Sequence, residues 1–513
     1  MRPWRLAATS GILIVFCVPS FLWPTLAMWQ SVIGWVALIP VFYVLLMLSL
    51  TPTQGGLLMG TTWMIAMAGI HYWLFTAPLL AWRGPIFWVG LSLLLGFLRA
   101  GFGVIAVWGW RRWQPRAPWI GLLLWLPSVW VSLEWIQQKL MGFAWPYALT
   151  QHSWPALVQW TSLGGTAFLS WWLIGWTSVV AYALHQPRAS RWKILIFAGF
   201  SLLMMASVGS YRLYIGGTQT VRSHPIEVAI LQGARPLELP RSLDELEVYQ
   251  QMIAPLHAAP PTLICWPEGA VPFFPDLHPT VKIPLLRIIR ASHTHHLVGG
   301  YEPVMRQGQV VSEINCLWLY NATGTKLATY RKRHPFPFGE RLPFFPRLLS
   351  WATLSQFQLT PGTDPPLMAT PWGPIGVPIC NELLMDTEIS WLKQQPLEAI
   401  FSVTNDIWMG ATAGPAQHLM VGILRAVETG VPIVRISNSG ISAIISPLGT
   451  VLATLPYGIR GVLRHALPPK IPLPLGHRPQ KAFLYFSIAT ALLGGLIALA
   501  LNPTATTNFG DDS

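Results

Sequence analysis

The sequence predicts a membrane α-helical bundle of about eight spans that carries one α/β sandwich domain. Three observations support this class. Of the 513 residues, 52% are hydrophobic and only 10% are charged, whereas soluble proteins carry about 25% charged residues. Apolar runs of spanning length crowd the first 220 residues and return near the end. Between them, residues 227–481 hold 17 acidic and 20 basic residues, which is the balance of an aqueous domain.

The apolar runs define the predicted spans, because about 20 apolar residues cross the hydrocarbon core. Seven runs precede the aqueous domain and one follows it: 8–26, 29–50, 56–78, 85–110, 117–137, 163–185, 194–210 and 482–501. We therefore predict a seven-span bundle over residues 1–220, an aqueous domain over 221–481, an eighth helix over 482–501 and a tail over 502–513.

The charge distribution predicts the orientation. Up to Pro225 the chain has 13 basic residues and a single acid, Glu134. The basic residues cluster at the N-terminus and after spans four and six, which places the N-terminus and the tail in the cytoplasm and the aqueous domain outside. The net charge of +13 thus sits mainly in membrane loops, and we expect no nucleic-acid partner.

Glu134 is the only acid in the predicted spans, so it is a functional candidate by default. A structural ion pair with Arg99 is an equally good interpretation.

The aqueous domain alternates strand and helix patterns, which favours an α/β sandwich with a mixed sheet. Asn321-Ala-Thr-Gly324 fits a hairpin turn before a strand at Lys326–Arg331 better than a glycosylation site. The other predicted strands are Ile226–Gln232, Thr262–Trp266, His296–Tyr301, Ile314–Tyr320, Gly376–Cys380, Ala399–Thr404, Pro432–Ser437 and Ile441–Ser446. The predicted helices are Leu243–His257, Ile283–Thr294 and Ala416–Thr429.

The four cysteines lack the paired spacing of a metal site. Cys265 and Cys316 lie inside apolar strand patterns and are expected in the core. Cys380 lies between a strand pattern and a helical pattern. At such an elbow the helix dipole would lower the pKa of the thiol, although this residue alone favours a core cysteine.

Two further residues could take part in catalysis. Glu268 follows an apolar strand beside Trp266 and Pro267, where an apolar setting would raise the pKa of a general base. Taken alone, this residue favours an exposed loop acid. Lys332 lies in a basic, proline-rich stretch that could also be a surface loop.

Taken together, these segments resemble the nitrilase, or carbon–nitrogen hydrolase, superfamily. With the predicted spans on both sides, the chain resembles the apolipoprotein N-acyltransferase family. The matching segments are Pro267-Glu268, Tyr330-x-Lys332, Pro337-Phe-Gly-Glu340, Ile379-Cys380-x-Glu382, Thr404-Asn405-Asp406-x-Trp408-x-Gly410, Gln417-His418, Arg425-Ala426-x-Glu428, Leu133-Glu134-Trp135, Gly142-Phe143-x-Trp145 and Gly164-Gly165. Asn381 and Ala234 depart from the family pattern, which usually has an aromatic residue and an Asn or Asp at these positions.

The resemblance implies a nitrilase-like αββα sandwich with a catalytic triad of Glu268, Lys332 and Cys380. Glu340 and Glu382 would orient Lys332 and the cysteine loop. The apolar loop Pro343–Pro346 would either dip into the bilayer as a lid or pack on the domain.

The implied reaction transfers a fatty acyl chain from a membrane phospholipid to the α-amino group of an apolipoprotein's N-terminal S-diacylglyceryl-cysteine. It would proceed by a ping-pong mechanism through a thioester on Cys380, without a metal or other cofactor. The implied location is the bacterial inner membrane, with the catalytic domain in the periplasm and a monomeric chain. A membrane-anchored amide hydrolase is the alternative.

Overall fold

The computed structural model describes residues 2–77, 80–218, 226–235, 242–337, 339–341, 359–474, 476 and 478–501. The predicted lid at Pro343–Pro346 and the tail at 502–513 lie outside these residues. The chain forms two compact units. One comprises 1–71, 88–210 and 478–513, and the other comprises 72–87 and 211–477.

The chain before the first strand is helical. Its apolar residues and its single acid favour helices that hydrogen-bond their own backbone. The helices are α1 (Arg2–Phe16), α2 (Met28–Val36), α3 (Ile39–Met47), α4 (Pro52–Ile70), α5 (Trp73–Thr76), α6 (Gly84–Trp113), α7 (Pro118–Ile120), α8 (Leu126–Met141), α9 (Pro155–Val158), α10 (Thr161–His185) and α11 (Arg188–Gly217).

The second unit contains twelve strands within its described residues. They are β1 (Glu227–Gln232), β2 (Leu263–Cys265), β3 (His295–Arg306), β4 (Gln309–Tyr320), β5 (Lys326–Arg331), β6 (Leu367–Met368), β7 (Ile375–Gly376), β8 (Ala399–Thr404), β9 (Ile433–Ser437), β10 (Ser442–Ile445), β11 (Val451–Leu455) and β12 (Gly461–Ala466). The intervening helices are α12 (Asp244–Ile253), α13 (Pro279–Ser292), α14 (Asp386–Leu392) and α15 (Gly414–Thr429), and α16 (Arg478–Ala500) follows.

The strands form two mixed six-stranded sheets, ordered β12-β1-β2-β3-β4-β5 and β11-β10-β9-β8-β7-β6. Their apolar inner faces share one buried core, in which Val228 and Leu263 of the first sheet join Phe401 and Ile436 of the second. Side chains of α12 and α13 cover the outer face of the first sheet. The αββα sandwich predicted from the sequence is therefore confirmed.

Among the described residues, six helical stretches are long and apolar enough to cross a membrane by length and composition: Met28–Met47, Ala81–Trp113, Pro118–Met141, Thr161–His185, Arg188–Gly217 and Arg478–Ala500. The remaining two predicted spans correspond to α1, which has 15 residues, and α4, which has 19. Each predicted run contains a helix, but in the run 8–26 the helix ends at Phe16 and in the run 56–78 it breaks after Ile70. The count of eight spans is therefore approximate. The chain is therefore a multi-pass membrane protein.

In the membrane unit, Glu134 is buried and faces Arg99, with 3.8 Å between the carboxylate and the guanidinium. The guanidinium lies over the rings of Trp130 and Trp63, at 4.3 and 4.9 Å from their centroids. Glu134 also accepts hydrogen bonds from the Trp130 indole and from the backbone N–H of Tyr147, both at 2.8 Å. The geometry supports the structural interpretation of Glu134, because the carboxylate's partners hold α8 against its neighbours.

Candidate active site

The three predicted catalytic residues each follow the end of a strand in the sandwich. Glu268 lies three residues after β2, and Lys332 directly follows β5. Cys380 comes after Ile379, which bridges to Val403 of β8. Strand ends place polar side chains at the rim of a buried core, where backbone pairing stops.

Lys332 connects the carboxylates of the site. Only 1% of its side chain is exposed, and Nζ lies 2.8 Å from Glu340 Oε2 and 3.5 Å from Glu268 Oε1. Its own backbone N–H donates to the carbonyl of Asn315 at 2.8 Å. The Asn315 amide nitrogen in turn donates to Glu268 Oε1 at 2.6 Å. These contacts fix an ammonium group between two acids.

The charges of this cluster follow from burial and pairing. Burial raises the pKa of Glu268, Lys332 works to lower it and Glu340 to raise it, and the result is a pKa of about 7. Burial works to lower the pKa of Lys332, but Glu340 and Glu268 outweigh it and raise that pKa well above its usual value. At neutral pH the lysine is therefore a fixed cation, and Glu268 is poised to take up or release a proton.

Cys380 alone of the four cysteines is partly exposed, while Cys265 and Cys316 are buried in the core, as predicted. Its backbone has φ of +54°, in the left-handed region. A non-glycine residue held there costs about 1–3 kcal/mol, so its surroundings must impose the conformation. A strained strand-to-turn position is also how other hydrolase folds present a nucleophile.

The expectation that a helix dipole lowers the pKa of the Cys380 thiol is wrong. The predicted helix is a five-residue 3-10 turn, Cys380–Leu384, which is too short to carry a large dipole. Burial raises the pKa of the thiol, the charge of Glu268 raises it further, and Lys332 opposes both. The resting group is thus a thiol, and reaction requires a base to remove its proton.

Glu382 joins the cysteine segment to the lysine segment. It is fully buried, and its carboxylate accepts from the backbone N–H of Ile379 at 2.8 Å and from the hydroxyl of Tyr330 at 2.8 and 2.9 Å. It also accepts from the backbone N–H groups of Arg333 at 2.8 Å and His334 at 3.1 Å. Burial raises the pKa of Glu382, and these donors oppose the rise.

Asp406 forms a second buried cluster behind the nucleophile. It accepts hydrogen bonds from Thr404 at 2.9 Å and from His418 Nδ1 at 3.0 Å, and it pairs with Arg435. Burial works to raise the pKa of Asp406, but Arg435 and His418 hold it well below its usual range. The backbone of Cys380 works to raise the pKa of His418, which places this cluster beside the nucleophile.

Arg425 and Gln232 hold loops of the domain through their side chains. Arg425 donates to the carbonyls of Leu383 at 3.2 Å and Leu384 at 3.0 Å, in the turn after the nucleophile. It also pairs with Glu428 at 2.6 Å. Gln232 donates to two carbonyls of the loop after β11, and Ala234 has φ of +48°.

The sequence did not indicate that residues 72–87 belong to the catalytic unit. Trp73 donates to the Gln417 amide oxygen at 2.9 Å, and its ring meets that of Trp408 at 5.3 Å. The hydroxyl of Tyr72 accepts from the backbone N–H of Ala413 at 3.1 Å. Trp408 follows the matched Asn405-Asp406 segment and also contacts Phe336, 5.5 Å away. No local pattern could reveal a contact across 344 residues.

The pH dependence of Cys380 reactivity follows from the pKa of Glu268. An acid with a pKa of about 7 is protonated below that pH and cannot take the thiol proton. Alkylation of Cys380 by iodoacetamide should therefore rise about tenfold per pH unit below 7 and level off above it. Mass spectrometry of the labelled peptide measures this rate. An unchanged profile in Glu268→Gln would contradict the role of Glu268.

Two family models match the chain. A family model described as carbon-nitrogen hydrolase matches residues 227–470. A model described as the apolipoprotein N-acyltransferase N-terminal domain matches residues 10–180.

Similar whole proteins are known from several bacteria. An apolipoprotein N-acyltransferase of Geobacter metallireducens is 28% identical over 487 residues, covering 90% of this chain and 88% of that protein. An Azotobacter vinelandii protein of the same name is 29% identical and covers 73% of each chain. Among solved structures, Nit3 of Saccharomyces cerevisiae is 19% identical with a TM-score of 0.38, covering 49% of this chain and 93% of its own. An amidase from Nesterenkonia sp. is 18% identical with a TM-score of 0.37, covering 49% of this chain and 94% of its own.

The fold and the family matches define a membrane protein with a catalytic domain of the carbon–nitrogen hydrolase type. Residues 10–180 of its apolar N-terminal part match the second model. The chain belongs to the apolipoprotein N-acyltransferase family and is an acyltransferase.

Proposed function

We propose that this protein transfers a fatty acyl chain from a membrane phospholipid to the α-amino group of the N-terminal S-diacylglyceryl-cysteine of apolipoproteins. One observation carries the proposal: a thiol, a carboxyl with a pKa of about 7 and a buried lysine meet in a chain whose other half is a membrane bundle. The names of the similar bacterial proteins supply the acceptor.

In the first half-reaction, Glu268 removes the proton of the Cys380 thiol and the sulfur attacks the ester carbonyl of the phospholipid. Negative charge then develops on the carbonyl oxygen. Lys332, fixed by Glu340, supplies the positive charge that stabilises it. The carbon–oxygen bond breaks, the lysophospholipid takes the proton from Glu268, and a thioester remains on Cys380.

In the second half-reaction, the amine of the acceptor attacks the thioester carbonyl, and Lys332 again faces the developing oxyanion. Glu268 accepts a proton from the attacking nitrogen. The carbon–sulfur bond then breaks, the product leaves as an amide, and the proton returns to Cys380. The cycle needs no cofactor, because both leaving groups are protonated by Glu268.

Membrane anchorage suits these substrates. Exposing an acyl chain to water costs about 0.8 kcal/mol per methylene, so an anchored enzyme avoids extracting either substrate. We place the protein in the bacterial inner membrane with residues 221–481 in the periplasm, since its basic loop residues favour a cytoplasmic N-terminus. We further propose that the chain acts as a monomer.

Glu382 should be the position most sensitive to a conservative change outside the triad. In Glu382→Gln an amide NH₂ group would face backbone N–H donors, leaving at least one buried donor unpaired at a cost of about 1–3 kcal/mol. We expect a lower melting temperature and a loss of turnover together. Glu398→Gln, at an exposed ion pair with Lys470, is the matched control and should change neither by much.

The proposed function is tested by incubating the purified protein with phospholipid vesicles and a synthetic diacylated lipopeptide. Mass spectrometry should show a triacylated lipopeptide and an equal amount of lysophospholipid. The same lipopeptide with an acetylated N-terminus should remain unchanged, because it lacks the nucleophile. Release of free fatty acid without triacylated product would instead indicate a membrane-anchored amide hydrolase or esterase.

A further inference from the structure

Two side-chain amide oxygens beside the candidate triad have no hydrogen-bond partner in the described part of the chain. They are Asn381 Oδ1, directly after the nucleophile, and Asn315 Oδ1, beside Glu268. Asn381 is 5% exposed and Asn315 is 1% exposed. Leaving a buried acceptor unpaired costs free energy that folding does not recover, so such atoms at a reaction centre are candidates for substrate contact.

The orientation of both amides is fixed by what they face. The Asn381 Nδ2 group donates to the carbonyl oxygen of His334 at 3.0 Å, and the Asn315 Nδ2 group donates to Glu268 at 2.6 Å. A carbonyl and an ionised carboxylate can only accept, so the nitrogen of each amide faces them when Glu268 is ionised. The oxygens are therefore the atoms left without a partner.

The chemistry of the two half-reactions shows which substrate could use these oxygens. The ester of the donor offers only oxygen acceptors at its reacting end and cannot donate to an amide oxygen. A primary amine attacks through its lone pair and carries two hydrogens. It gives one to Glu268 and keeps the other in the amide product. That retained N–H needs an acceptor beside the nucleophile.

We propose that Asn381 Oδ1 accepts the N–H that the acceptor amine keeps, which makes Asn381 a specificity-determining residue for primary amines. This inference rests on the proposed function and assigns a substrate contact to a position where the sequence departs from its family. The Asn315 oxygen lies beside Glu268. It would accept a hydrogen bond from the second N–H of the amine until that proton moves to Glu268.

The experiment separates the two half-reactions. The protein is first acylated by phospholipid alone and then mixed with diacylated lipopeptide, and intact-protein mass spectrometry follows adduct formation and decay. Asn381→Leu removes the oxygen and the bond to His334, whereas Asn381→Asp loses the same bond, because a carboxylate cannot donate to the His334 carbonyl, but keeps an oxygen at the Oδ1 position. We expect Asn381→Leu to lower the ratio of the decay rate to the formation rate at least about tenfold. The ratio for Asn381→Asp should stay within about threefold of the wild-type ratio.

A second measurement uses the wild-type protein, so it does not depend on whether a variant folds. A lipopeptide with an N-methylated terminus is a secondary amine with one N–H, which it gives to Glu268. With the wild-type protein it should clear the adduct at least about tenfold more slowly than the primary amine. If Asn381→Leu folds, as its thermal melt will show, N-methylation of the lipopeptide should slow adduct clearance by this variant far less than by the wild-type protein.

Equal ratios for Asn381→Leu and Asn381→Asp, or equal clearance by both amines, would overturn the proposal. Failure of the wild-type protein to form any adduct or triacylated product would instead overturn the proposed function.

Discussion

Cys380→Ala will abolish acyl transfer, with turnover reduced about 10³-fold or more, because no other atom can carry the acyl chain. Cys380→Ser should be severely impaired as well. A hydroxyl is harder to deprotonate than a thiol, and the burial that already raises the pKa of Cys380 would disfavour an alkoxide further. Triacylated lipopeptide formed per minute is the measurement.

The controls are the two core cysteines. Cys265→Ala and Cys316→Ala remove sulfurs that are 0% exposed and lie in the packed core. They should lower thermal stability through lost packing and leave the folded fraction active. Full activity in Cys380→Ala would exclude a covalent mechanism at this residue.

Lys332→Met should cause the second-largest effect, through two separate losses. Methionine has a similar length but no charge, so the developing oxyanion loses a donor and turnover should fall about 10²–10³-fold. The buried Glu268 and Glu340 also lose their counter-ion. Breaking a buried ion pair on one side typically costs about 3–5 kcal/mol, so thermal unfolding should shift to lower temperature.

Lys326→Met provides the comparison for Lys332→Met. Its ammonium pairs with Asp276 at 3.3 Å with 30% of the side chain exposed, so its contribution should be about 0–1 kcal/mol. A Lys332→Met protein that melts like Lys326→Met and keeps its turnover would rule out the proposed role of the buried ammonium.

The apolar strand runs predicted an α/β sandwich and the strands of its core, whereas the αββα arrangement was implied by the family resemblance. It missed β6, β11 and β12. β6 is two residues long, and β12 is only partly buried and contains Arg464 and His465, so no strong pattern marks either. The hairpin of β3 and β4 also extends further than predicted, through a turn at Gln307 and Gly308, both with positive φ.

The identity of the candidate site residues was predictable from the sequence, but their contacts were not. Motif order identified Glu268, Lys332 and Cys380, whose catalytic roles remain predictions. The raised pKa of Glu268 was expected from its apolar neighbours, whereas the pKa of Cys380 was predicted with the wrong sign, because a helical sequence pattern does not reveal a turn of only five residues. Asn315 and Trp73 were missed, since each reaches the site through contacts that only the folded chain creates.

The most direct test of the account is the mass of the intact wild-type protein after incubation with phospholipid alone. A ping-pong acyltransferase must gain one acyl chain, which neutral hydroxylamine should release because it is held as a thioester, and which a diacylated lipopeptide with a free amino terminus should remove. The account predicts one added acyl mass, located on the peptide that contains Cys380. An unmodified protein that still produces triacylated lipopeptide, or an acyl chain on any other residue, would contradict it.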